Sequence, residues 1–152
     1  MKKIFLVYAL CVLFCGTKAL GAEMVWNEIG RGNSDIKSVL VDPDNAHLIY
    51  LGSSRAVLKS EDGGQNWRDI LVLRGANSAA HLLVFDPRDR NTVYAATAAG
   101  LYRSNNQGKN WSRIFRGSNY LESDCRAIAV LPAAIFLGTK GGLLVSKDQG
   151  RS

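Results

Sequence analysis

The chain has 152 residues, of which 47% are hydrophobic and 21% charged, and its formal net charge is +6. Lysines and arginines form no cluster of the kind that marks a nucleic-acid face, so that class of partner is excluded. The length allows one modest domain.

The first element is a basic start, Lys2-Lys3, followed by an apolar run of 11 residues from Ile4 to Phe14. Small residues follow: Cys15, Gly16, Thr17, Ala19, Gly21 and Ala22. This order is that of a cleaved secretory signal over residues 1–22, with cleavage after Gly21 or Ala22. The run is shorter than the roughly 20 helical residues needed to cross a bilayer. An uncleaved anchor is the alternative; a lipoprotein reading through Cys15 is opposed by bulky Phe14 before it. No later stretch is long and apolar enough to span a membrane. The sequence therefore predicts a secreted or periplasmic protein. Removing residues 1–22 takes away Lys2, Lys3 and Lys18 and no acid, leaving 6 − 3 = +3. Cys11 and Cys15 leave with it, so Cys125 remains without an internal disulfide partner. A buried small side chain is the plain reading of Cys125; a partner in a further segment is the other.

Internal repetition dominates the rest. Ser60-Glu61-Asp62-Gly63-Gly64-Gln65-Asn66-Trp67 recurs as Ser104-Asn105-Asn106-Gln107-Gly108-Lys109-Asn110-Trp111 and begins again as Ser146-Lys147-Asp148-Gln149-Gly150-Arg151-Ser152. The serines are 104 − 60 = 44 and 146 − 104 = 42 residues apart. Three short apolar segments precede each copy. The first segments are 36–41, 80–85 and 126–131; the second 48–52, 92–96 and 134–138; the third 56–60, 100–104 and 142–146. A fourth starts at Trp67 and at Trp111. Trp26-Asn27-Glu28-Ile29 repeats that fourth pattern with no box before it. Each segment is rich in Val, Ile, Leu and Tyr and bounded by Gly, Pro, Asn or Asp, which is strand grammar, and no stretch after the leader holds a helical period.

Four short strands in a repeat of roughly 40–45 residues make one blade of a β-propeller. The expected fold is all-β, with four-stranded antiparallel blades over 36–72, 80–115 and 126–152. The outer strand 26–29 stands apart from these blades, and the third blade lacks its outer strand. Residues 23–152 thus read as a partial propeller, since closure takes roughly four to eight blades. Exposed blade flanks would favour self-association.

These boxes resemble the Asp-box, or bacterial neuraminidase repeat, family, whose pattern is Ser-x-Asp-x-Gly-x-x-Trp. Ser60, Asp62, Gly64 and Trp67 match it fully. Ser104, Gly108 and Trp111 match with Asn106 in the aspartate's place, and Ser146, Asp148 and Gly150 match up to the end of the sequence. The resemblance, with its WD40- and YVTN-like strand spacing, covers nearly all of the chain after the leader. It implies sialidase, xyloglucanase, sortilin-type receptor or photosystem assembly relatives, and the arrangement is nearest the glycosidase and sortilin-like groups. Fold alone does not choose among them.

The box chemistry is that of a turn. A carboxylate or amide oxygen at Asp62, Asn106 or Asp148 can accept backbone N–H groups of its own turn. Gly64, Gly108 and Gly150 suit a positive φ, and the tryptophan buries a ring with one N–H to satisfy. A carboxylate repeated in every blade reads as architecture rather than catalysis. Asp42 and Asp86, each before a proline, likewise read as turn residues. Arg31, Arg74 and Arg116 recur before glycines on the opposite face, where propellers usually place ligands. With Lys37, His81 and Arg126 they could line a basic mouth for an anionic ligand; solvated loop arginines are the plainer alternative. Asp35 and Asp124 are the best catalytic candidates, because the middle repeat has Ala79 there. No Arg-Ile-Pro segment of the sialidase type is present, and no cofactor is implied. His47 and His81 stand at no metal-ligand spacing. Two functions follow: a non-catalytic binding or scaffolding propeller for a protein or carbohydrate ligand, or the N-terminal part of a secreted glycoside hydrolase.

Overall fold

The computed structural model describes residues 26–29, 35–75 and 78–151. The expected leader over 1–22, with Cys11 and Cys15, and Arg31 lie outside the described residues. Among the described residues, eleven strands form three antiparallel sheets. The first contains β1 (Ile36–Val41), β2 (Ile49–Ser53), β3 (Ala56–Ser60) and β4 (Arg68–Val72) in sequential order. The second contains β5 (Ala80–Asp86), β6 (Asp89–Thr97), β7 (Gly100–Ser104) and β8 (Ser112–Phe115), again in order. The third contains β9 (Cys125–Leu131), β10 (Ala134–Thr139) and β11 (Gly142–Ser146). Because each strand pairs with the next in sequence, local turn chemistry fixes the topology.

The turns repeat as strictly as the strands. Between the first and second strands, Asp42 Oδ1 accepts the amide of Asp44 and Asp86 Oδ1 that of Arg88, both at 2.9 Å. Tyr94 Oη also donates to Asp86 Oδ2 at 3.3 Å, burying the carboxylate usefully. Between the second and third strands, Ser53, Thr97 and Thr139 each donate a hydroxyl to the carbonyl three residues on, at 3.0, 2.7 and 3.0 Å. A hydroxyl that closes its own turn explains why three sequences so different make one bend.

The core lies between sheets. Tyr50 and Val57 of the first blade pack with Leu83, Val93 and Ala95 of the second. Tyr94, Ala96 and Leu101 of the second pack with Cys125, Ile128, Ile135 and Leu137 of the third. The inner strand β5 contacts both β1 and β9, as radial stacking requires. Cys125 is fully buried and free, and burial pushes its thiol up to about 12.

Three details differ from the sequence reading. Residues 26–29 form no strand; Trp26 is 92% exposed and Ile29 packs beside Gly64. Strand β6 starts at Asp89, three residues early, because Asp89 accepts the Asn91 amide and the Thr92 hydroxyl and continues the hairpin. A four-residue helix, α1 (Tyr120–Ser123), precedes β9, and Asn119 Oδ1 caps it by accepting from Leu121 and Glu122. A single capped turn has no periodicity to reveal it. Among the described residues no helix is long and apolar enough to cross a membrane.

Candidate functional site

The two ends of the blades differ in kind. One carries the turns between third and fourth strands, and these are closed hydrogen-bond circuits. The serine hydroxyl accepts the glycine amide at 2.8 Å in Ser60–Gly64, 2.8 Å in Ser104–Gly108 and 2.7 Å in Ser146–Gly150. The same hydroxyls donate to Asp62, Asn106 and Asp148 Oδ1 at 2.8, 3.0 and 2.7 Å. Those oxygens in turn accept the amides of Asn66, Asn110 and Arg151. Asn106 Oδ1 therefore keeps both bonds of Asp62 Oδ1, while the 2.7 Å bond from Asn66 Nδ2 to Asp62 Oδ2 belongs to the first turn. Bonds from the amide and side chain of Asn66 draw the half-buried Asp62 carboxyl down to about 2. It is an ionised acceptor with its lone pairs engaged.

Gly64, Gly108 and Gly150 have φ of 93°, 85° and 71°. Gln107 and Gln149 also adopt positive φ, where the first copy has Gly63; the sequence gives no sign of this. Trp67 Nε1 donates to Gly64 O at 2.8 Å, whereas Trp111 Nε1 is buried with no partner. Each repeated glycine also receives an isoleucine from the preceding repeat unit: Ile29 on Gly64, Ile70 on Gly108, Ile114 on Gly150. These turns are joints between blades.

The other end holds an open cavity of 790 Å³. It is walled by the loops entering β1, β5 and β9 and by the turns between second and third strands. Three equivalent backbone bonds fix the register there: Ser54 N to Asp35 O, Ala98 N to Ala79 O, and Lys140 N to Asp124 O. Asp35, Ala79 and Asp124 thus occupy the same position in three blades, and all three line the cavity.

The two carboxylates are held differently. Asp35 is exposed, bound to Lys37 Nζ at 2.8 Å and to the Ser54 hydroxyl at 2.7 Å, and these bonds lower its pKa. Asp124 is buried and takes both nitrogens of the Arg126 fork at 2.8 Å, Lys140 Nζ at 3.1 Å and His81 Nε2 at 3.1 Å. Burial pushes the Asp124 pKa up, but the combined pull of Arg126 and Lys140 leaves it below the ordinary value. Burial, then the Arg126 charge, lower that of His81. His81 is therefore neutral near pH 7, and its contact with a carboxylate puts the ring hydrogen on Nε2. This bond ties the second blade to the third. Neither aspartate is poised to give up a proton, which a general acid in glycoside cleavage must do.

Of the arginines expected here, Arg74 and Arg126 line this cavity. Arg116 lines an adjoining one of 510 Å³ that shares Arg74, Ala98 and Tyr120 with the first. Arg55, Arg113, Tyr120 and Lys140 also line the two cavities, and the sequence reading missed them. Arg55 and Lys140 sit in the turns between second and third strands, outside the repeated apolar segments, and line the same cavity. Among the described residues no group of three His, Cys, Asp or Glu is placed to hold a metal ion.

Blades of four antiparallel strands, stacked around inner strands, define a β-propeller fold. Solved structures agree on the fold. The chain is 20% identical to an ancestral GH74 enzyme at a TM-score of 0.69, covering 81% of this chain and 18% of that one. It is 21% identical to YCF48 from Cyanidioschyzon merolae at a TM-score of 0.61, covering 82% and 38%. It is also 21% identical to the extracellular domain of a hybrid two-component system from B. thetaiotaomicron, at a TM-score of 0.58 and covering 76% and 16%. The chain spans less than half the length of each. No protein-family model matches it, and no curated protein does.

Proposed function

We propose that the chain is a secreted or periplasmic propeller of the Asp-box kind and a non-catalytic binding module, taking its ligand on the face opposite the box turns. The observation that carries this is the chemistry of the 790 Å³ cavity, where five Lys/Arg outnumber two aspartates that are already ion-paired. Such a surface attracts and holds anions; it offers no free acid or base for bond cleavage. Solved propellers of similar fold include YCF48 bound to a D1 peptide and a GH74 xyloglucanase from Xanthomonas campestris, so both protein and carbohydrate ligands suit the architecture.

The second reading, part of a secreted glycoside hydrolase, is favoured by one fact: Asp35 and Asp124 line the same cavity. One experiment separates the two. The chain is applied to glycan and peptide arrays beside Arg74→Glu and Arg116→Glu variants, and sialosides and β-glucans are assayed for cleavage. Ligand capture lost in both variants, with no hydrolysis, is the expected result. Capture that survives both reversals overturns the assignment of the face. Hydrolysis abolished by Asp35→Asn or Asp124→Asn makes the chain enzymatic.

A further inference from the structure

We infer that the ligand of this face is an acidic oligosaccharide, an oligouronate with a carboxylate on each ring; this rests on the reading that the face binds ligand at all. The cations of the two adjoining cavities divide by type. Lys37, Arg126 and Lys140 are each ion-paired, the first with Asp35 and the other two with Asp124. Arg55, Arg74, Arg113 and Arg116 have no ion pair among the described residues, and the second cavity has no acidic residue in its lining. Every unpaired cation is thus an arginine, whose planar fork accepts a carboxylate through two parallel hydrogen bonds. Arg74 belongs to both cavities, so the charge runs continuously from one into the other.

Tyr120 selects the class of anion. Tyr120 is 75% exposed at the start of α1 and lines both cavities. An aromatic face that shares these linings with the arginines and with Ser118, Asn119 and Ser123 suits a sugar ring that carries a carboxylate. An acidic peptide is a poorer fit. The lining consists of loops, the second residues of inner strands and Arg113 of β8, with no apolar stripe for a helix. A neutral sugar would desolvate the arginines without pairing them.

Isothermal titration of the whole chain with oligogalacturonate tests this, beside the same oligosaccharide fully methyl-esterified and a polyglutamate of equal charge. Acidic saccharide should bind, the ester should not, and polyglutamate should bind more weakly. Arg74→Gln should weaken the saccharide about tenfold, as expected for one charge-assisted bond. Tyr120→Ala should weaken it several-fold while leaving polyglutamate unchanged. Both residues are exposed, so melting curves matching the parent verify that the variants fold. Equal binding of the ester, or polyglutamate binding as tightly as the saccharide, overturns the inference. So does silence towards oligouronate when an array ligand is captured and lost in Arg74→Glu, and the binding face then stands. Saccharide binding untouched by both variants moves the site elsewhere, and both readings fall.

Discussion

The middle blade and the third blade follow the same strand pattern and live in different surroundings. In β7, Leu101 is 3% exposed; its counterpart Leu143 in β11 is 73% exposed, and Leu144 and Val145 are 38% and 52% exposed. Both strands pair fully with the strand before them. What β7 has in addition is β8 along its other edge. An apolar slot of 510 Å³ lies along β11, walled by Ile114 and Phe115 of the second blade and by Leu144. Hydrogen bonding alone, then, does not bury a third strand; Leu101 is covered by Cys125, Ile128, Ile135 and Leu137 of the next blade. The apolar pattern of a blade is written for a neighbour as much as for its own sheet.

The largest effect should come from comparing those two leucines. Leu101→Ala removes a buried side chain from the core between the second and third blades and should cost about 2–4 kcal/mol. Leu143→Ala should stay within about 0.5 kcal/mol, as for an exposed position. Urea unfolding of the whole chain measures both. Equal losses would mean that β11 is covered in solution, and the contrast between the blades would disappear.

Most of the fold was legible because the repeat fixes position three times over. A strand seen once is a guess, but Leu48–Gly52, Thr92–Ala96 and Ala134–Gly138 at one spacing constrain each other. Where one copy departs, the reading weakens. The Trp26–Ile29 segment has the outer-strand pattern, yet no described strand lies where it could pair, and a pattern cannot supply a partner. The site was legible only in part. Arg74, Arg116 and Arg126, singled out by recurrence or position, line the two cavities, whereas Tyr120 lies in the single turn α1, which has no sequence period to reveal it. The ion-pair network at Asp124 joins residues from different repeats, His81 among them, and linear spacing contains no such information.

A second, smaller difference sharpens the comparison between joints. A Cβ at Gly108 would lie 2.5 Å from Ile70 Cδ1, and one at Gly64 would lie 3.3 Å from Ile29 Cδ1. Both glycines have positive φ, so alanine is strained at either. Ile70, however, sits in the paired strand β4, while Ile29 belongs to a segment with no strand partner. Gly108→Ala should therefore destabilise more than Gly64→Ala, by about 1 kcal/mol, the excess being overpacking that β4 cannot relieve. If Gly64→Ala proves the costlier change, the 26–29 segment is held as firmly as a true outer strand.

The smallest effect is one of pH, and it compares the first turn with the second. Asp62 titrates at about 2 against an ordinary 3.8, because the folded turn donates hydrogen bonds to its charged form. A folded pKa below the unfolded one means the contribution is fully present above the unfolded value. It is lost as pH falls from roughly 4 through 2, since the unfolded state then binds the proton first. In the second turn Asn106 Oδ1 accepts the equivalent hydroxyl and amide bonds and has no proton to gain. Melting temperature followed between pH 5 and pH 2 should fall less steeply in Asp62→Asn than in the parent, and more steeply in Asn106→Asp. At pH 7 the first change should be close to neutral, because an amide oxygen already serves at the equivalent place. The side chain is only half-buried, so solvent screens much of the effect and the slopes will differ modestly. Identical slopes in all three proteins would show that the turn does not distinguish carboxylate from carboxylic acid, and its hydrogen-bond circuit would then carry no charge preference.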